Sequence, residues 1–414
     1  DAFSGCTDIF RFTLPATVTS VGDGAFTGCA GIIEVRNLSA LTADKGSDAL
    51  GGLCKYAWDV FTSESEQSKI SDIDGYLVYK QIGGDIFIKY FGSSTTIEIP
   101  AGVKTIRKSA FYGNADVIEV VIPAGVETIE TDAFRNSTGL KTVRFDGGVV
   151  GFGENVFSGC TSLTSVVLPQ NLQKIGVGLF DGCSSLAEIA LPSGITEIGE
   201  RAFKDTKLAQ ITFTAGITKI NDSAFEGAKL VEITLTDNIT EIGASAFEDC
   251  AELTTVVVSA NASLQIIGKS AFRGCTGLAD ITLPESLTTI GDGAFYKCEN
   301  LAAINLPSSL TKIDSQAFAY TALTSVEIPE SITVISNYAF LECHSLVDVK
   351  LPSALTEIGE CAFRDCISLV TIEIPESLKI IRKGAFAYCN SLTALALPNE
   401  MDTIESGIVQ MSNK

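Results

Sequence analysis

Histidine is almost missing from this chain: one residue, His344, in 414, beside one Trp and two Met. A Ser-His-Asp triad or a His-ligated metal therefore has little to be built from. Positive charge is also short, with 29 Lys plus Arg against 50 Asp plus Glu and a formal charge of −21. That balance disfavours nucleic acid and acidic membrane surfaces as partners. No apolar run approaches the ~20 residues of a membrane-spanning helix. The P-loop, H-E-x-x-H and dinucleotide fingerprints do not occur either. No cofactor or metal is implied.

What is present is repetition. Phe recurs at 3, 26, 111, 134, 157, 180, 203, 225, 247, 272, 295, 318, 340, 363 and 386, mostly 22, 23 or 25 residues apart, and Val409 stands where a sixteenth is due. Residues 278–298, LADITLPESLTTIGDGAFYKC, show one unit. Two short stretches alternate with period two and a proline divides them. All eleven prolines lie eleven residues before the Phe position. Lacking an N–H, proline ends a strand and does not continue one. Gly stands four residues before Phe in eight of fourteen units, which reads as a turn needing permissive dihedrals. A single coil of this length cannot bury its own Leu, Ile and Phe; stacked coils can. About sixteen coils at ~4.8 Å each would give roughly 70–80 Å of stack.

Ten of the twelve cysteines (6, 29, 160, 183, 250, 275, 298, 343, 366 and 389) fall three residues after the repeat Phe. Asn114, Ser137, Thr206, Ala228 and Thr321 fill the same slot elsewhere. A position taking Cys, Ser, Thr or Ala reads as small and buried, with reduced Cys acting as a compact hydrophobe. Parallel neighbours about 4.8 Å apart exceed the ~3.8 Å Cβ separation a disulfide prefers. Cys54 and Cys361 lie outside the column, and Cys361 with Cys366 is the least implausible bridge.

Residues 36–97 break the rhythm, separating N-terminal repeats in 1–35 from the main array in 98–414. Within this insert SDALGGLCKYAWDVF places Leu50, Leu53, Cys54, Ala57, Trp58 and Phe61 at helical spacing. The runs 76–82 and 85–91 around Gly83-Gly84 predict a β-hairpin. Asp72-Ile73-Asp74-Gly75 is a turn lacking the further spaced ligands of a calcium loop. The insert either pads the solenoid or presents Tyr56, Trp58, Tyr76, Tyr79 and Tyr90 to a ligand.

The skeleton LPxSLTxIGxxAFxxCxxL, seen in LPSSLTKIDSQAF, LPSALTEIGECAFRDC and IPESLKIIRKGAFAYC, resembles the BspA-like class of leucine-rich repeats. The stretch IDGYLVYK…DIFIKYF…TIEIP is similar to a hairpin interposed between repeats in that family. The resemblance implies a mainly β, right-handed leucine-rich-repeat solenoid with little helix, displayed on a microbial cell surface. Some members are adhesins for matrix proteins, host cells or other microbes. The matching residues are core residues, so no functional site carries over. The chain opens and stops mid-repeat, at Asp1-Ala2-Phe3 and after Val409, and shows no leader or capping unit; an excised piece of a longer surface protein is the expectation.

Between the inward positions of the first strand one residue per coil points outward. Val167, Ala190, Thr212, Thr234, Val257, Thr282 and Asn305 form an uncharged file within a chain of net charge −21. The file is either a docking strip for an extracellular protein or glycan, or ordinary strand propensity. His344 and the carboxylates occupy variable repeat positions and assemble no catalytic constellation. The expectation is a non-enzymatic recognition module. Its alternatives are a carbohydrate-active solenoid, glycan-binding or polysaccharide-cleaving, and a spacer.

Overall fold

A computed structural model describes residues 2–149 and 151–410. Asp1, where the opening partial repeat begins, lies outside the described residues. The chain divides into two units, Asp1–Ile86 and Phe87–Lys414.

In the second unit most coils carry a first strand, a corner, a short second strand of mostly two residues and a double turn. The first strands pair in parallel and in register, as in Gln210–Thr212 with Glu232–Leu235 with Thr255–Val258. The second strands form their own parallel ladder, running from Lys219–Ile220 through Glu241–Ile242, Ile266–Ile267 and Thr289–Ile290 to Lys312–Ile313. Hydroxyls reinforce the stacking: Thr196, Thr240, Thr288, Thr311 and Thr356 each donate to a carbonyl of the coil before. The result is a parallel β-solenoid in which coil pairs with coil.

In the second unit the column of Phe side chains forms one continuous pile. From Phe87 through Phe111 and Phe134 to Phe386 thirteen successive ring pairs stack, with centroids 4.6–5.7 Å apart and planes within 20°. All fourteen Phe side chains of this column are fully buried. Phe87 was invisible to the period because it stands in the strand Asp85–Tyr90 instead of an Ala-Phe turn.

The first unit has three parallel strands, Arg11–Leu14, Glu34–Asn37 and Asp59–Phe61. A coil strand thus lies inside the stretch where the Phe period lapses. The predicted amphipathic helix is not there: Ala49–Gly52 is a single turn with Leu50 at φ 54° and Gly51 at φ 62°. Gly51 is needed for contact, since a Cβ there would lie 2.5 Å from the Gly22 carbonyl oxygen. Leu53, Cys54 and Ala57 nonetheless pack against Phe26 and Cys29, so the apolar spacing served a coil and not a helix. An antiparallel pair joins Ile70–Ile73 to Tyr76–Tyr79 through the turn at Asp74-Gly75, and the left-handed Gly83-Gly84 turn that the sequence favoured follows between the strands Tyr76–Tyr79 and Asp85–Tyr90.

One sequence reading of the turns needs correction. Gly four residues before Phe has no left-handed φ; at Gly153, Gly199, Gly243, Gly268, Gly291 and Gly359 it is there because the coils touch, whereas Gly22 and Gly176 have room for a Cβ. A Cβ at Gly199 would meet Gly176 at 2.8 Å, and one at Gly291 would meet the Lys269 nitrogen at 2.7 Å. Where another residue occurs, Asn221 and Ser336 reach back to the Ile198 and Ile313 carbonyls at 2.7 and 2.6 Å. Left-handed residues lie instead two before and two after Phe, for example Ser270 and Gly274 around Phe272.

The cysteine slot is more than a small hole. All twelve cysteines are free, Cys54 and Cys361 included. Cys160, Cys183, Cys250, Cys275, Cys298 and Cys343 each donate Sγ–H to the carbonyl of the preceding coil's Phe at 3.1 Å. Ser137 makes the same bond at 2.7 Å. The preference is therefore for a small donor as well as a small volume.

Candidate functional site

The parallel registers align the outward file residue on residue. Thr212 stands beside Thr234 and Thr234 beside Val257; Thr282 stands beside Asn305. Val167 and Ala190 lie one residue beyond the paired strands Ser165–Val166 and Glu188–Ile189. All seven are exposed, Val167 at 77% and Val257 at 41%. Beside Val167 a groove of about 410 Å³ runs under Phe145, Gly147, Gly148, Gln170 and Asn171. Here Asp146 replaces the corner proline, and Gly147-Gly148 lets Ala124 and the Asn171 side chain approach where a Cβ would collide at 2.5–2.6 Å. Past the file, Glu327 and Lys350 pair across adjacent strands, and a second groove of about 510 Å³ opens between Lys350 and Glu373.

The insert aromatics separate into two groups. Tyr79 is 5% exposed; its hydroxyl donates to Asp59 and its ring meets Trp58 edge-on at 4.9 Å. Burial, with the Asp59 carboxylate next to it, pushes the Tyr79 phenol up to about 12. Tyr90, 3% exposed, packs on Phe111 at 5.6 Å and its hydroxyl bonds Ser94. These two are packing residues and present nothing to a ligand. Trp58 and Tyr76 are half-buried, and Tyr56 is exposed.

Sequence reasoning missed a third feature, on the turn edge. Two residues after the repeat Phe, the left-handed position holds Gly113, Asn136, Gly159, Gly182, Asp205, Gly227, Asp249 and Gly274, then Lys297, Tyr320, Glu342, Asp365 and Tyr388. Asn and Asp tolerate this region, whereas long side chains there cost about 1–2 kcal/mol. The scaffold holds them: the amides of Lys297, Tyr320 and Glu342 donate to the next coil at 2.8–2.9 Å. The sequence signal was available, because after Gly274 this column holds no further Gly or Asn and only one Asp, Asp365.

A family model described as a BspA type leucine rich repeat region, in 6 copies, matches residues 1–45, 80–208, 150–266, 196–323 and 311–413. The chain belongs to this family. The BspA-type match leaves out 46–79, the part of the insert whose turns depart most from the repeat. Among solved structures, a leucine rich cell surface protein from Faecalibacterium prausnitzii is similar at 25% identity, over 80% of this chain and 100% of its own, with TM-score 0.49. A leucine-rich repeat protein from Bacteroides ovatus is similar at 25% identity, over 82% and 90%, with TM-score 0.49. The pneumococcal vaccine antigen PcpA shares 17% identity over 83% and 85%, with TM-score 0.33. No curated protein matches the chain. No helix among the described residues is long and apolar enough to cross a membrane.

Proposed function

We propose that this BspA-type solenoid is a non-enzymatic recognition module at a cell surface, contacting an extracellular macromolecule through the outward file from Val167 to Asn305. The family and the cell-surface protein among the similar structures support the setting. The observation that carries the reading is the register: exposed, uncharged side chains repeat coil after coil on strands locked by hydrogen bonds. Such a surface is rigid before it binds, so docking loses little side-chain entropy. The half-buried Trp58 and Tyr76 and the exposed Tyr56 of the first unit give a further contact area.

The test is binding to immobilised extracellular-matrix proteins by the intact chain and by the Thr234→Glu and Thr282→Glu variants. Both substitutions are on the exposed face and should shift stability by less than about 0.5 kcal/mol. Binding that falls at least tenfold in both variants supports the file; undiminished binding retires it.

A further inference from the structure

The turn edge from Arg273 to Tyr388 carries four of the nine tyrosines, Tyr296, Tyr320, Tyr338 and Tyr388, all half-buried. The Arg273 guanidinium lies 5.2 Å from the centre of the Tyr296 ring, and Arg364 lies 5.3 Å from that of Tyr388. In both cases Arg directly follows a column Phe and the ring comes from the next coil. Between these two modules Lys297 Nζ lies 5.7 Å from the Tyr296 ring and 6.0 Å from that of Tyr320, and the two rings meet edge-on at 5.2 Å. Tyr320 Oη donates to Glu342 Oε1 at 3.0 Å. Rings, cations and carboxylates thus alternate along one edge.

The fold does not require these side chains. Eight earlier turns of the second unit place only Gly, Asn or Asp at the left-handed position two after Phe, and they stack equally well. Strained backbone carrying large recognition-type side chains points to what lies outside the coil. Half-exposed phenol rings offer flat apolar faces, which suit the C–H face of a pyranose. Guanidinium, ammonium and carboxylate groups together satisfy hydroxyls, which both donate and accept. The carboxylates Glu342, Asp365 and Glu248 among the cations, in a chain of net charge −21, disfavour an acidic polymer. The Arg–Tyr module recurs after four coils, about 19 Å at the strand spacing, so the ligand it fits is itself repetitive.

We propose that this edge binds a linear, neutral polysaccharide, with Tyr296, Tyr320 and Tyr388 as ring platforms and Arg273, Lys297 and Arg364 as hydroxyl partners. The site is separate from the outward file, so either can fail without the other. Affinity electrophoresis of the intact chain tests it in gels containing mixed-linkage β-glucan, glucomannan, arabinoxylan or galactan, with polygalacturonate as the acidic comparison. At least one neutral polymer should retard the chain. Tyr296→Ala with Tyr320→Asn should weaken that retardation about tenfold, and Tyr388→Ala alone by a smaller factor. Thr234→Glu should leave it unchanged, and circular dichroism melting should show Tyr320→Asn folded. No retardation by any of the four neutral polymers overturns the proposal. Equal retardation of the tyrosine variants, or retardation by polygalacturonate alone that salt abolishes, does so too.

Discussion

Coils from Gly113 to Gly274 and coils from Lys297 to Tyr388 share one column of stacked rings and one ladder pattern, yet differ at a single backbone slot. In the first group the slot holds residues that suit a left-handed turn; in the second only Asp365 does, beside Lys297, Tyr320, Glu342 and Tyr388. The interior is under the same demand in both regions, so the difference is carried by the surface. A repeat protein allows this separation because each position can be compared with its equivalents in the same molecule.

The largest expected effect tests what the two regions share. Phe203→Ala and Phe295→Ala should each cost about 3–5 kcal/mol in denaturant unfolding, since each ring is fully buried between two others. A markedly cheaper loss in either region would break the equivalence. Alkaline pH comes next. Burial pushes the Cys160 and Cys250 thiols up to about 12 and Cys343 to about 11, against an ordinary value of 9.0. The native chain holds these protons longer than the unfolded chain. Their contribution is complete below pH 9 and is lost as pH rises through the folded values, so melting temperature should fall from about pH 9 upward in both regions. A flat profile between pH 8 and 11 would contradict the burial.

Smaller effects sharpen the contrast. Tyr320→Asn should leave stability unchanged or raise it by up to about 1 kcal/mol, and Asn136→Tyr should lower it by about as much. Matching signs for the two substitutions would show that the slots are not equivalent. Cys298→Ala should cost about 1 kcal/mol through the lost bond to the Phe272 carbonyl, whereas Cys298→Ser keeps a donor and most of the stability.

The solenoid was legible because its determinants are local and periodic: proline at the corner, Phe in the column, alternation in the strands. The outward file was legible for the same reason, since period two fixes which side chains face out. The insert was not. Leu50, Leu53 and Ala57 have helical spacing, but Gly51 and Gly52 turn the chain left-handed and return it to a parallel strand. Phe87 escaped because it reaches the column from an extended strand. The donor role of the thiols needs the carbonyl of the previous coil, which a one-dimensional reading does not supply. The tyrosine edge was overlooked for another reason: Tyr296, Tyr320 and Tyr388 are unremarkable in spacing, and are informative only through their ring partners and, for Tyr320 and Tyr388, their φ values.

The unbridged sulfurs carry a consequence for biogenesis. A chain whose coils are tied by side-chain-to-carbonyl bonds can be threaded through a narrow passage as an extended polymer and wind up afterwards, each turn templating the next. No oxidising catalyst has to visit it, and a reductant in its surroundings finds no crosslink to cut.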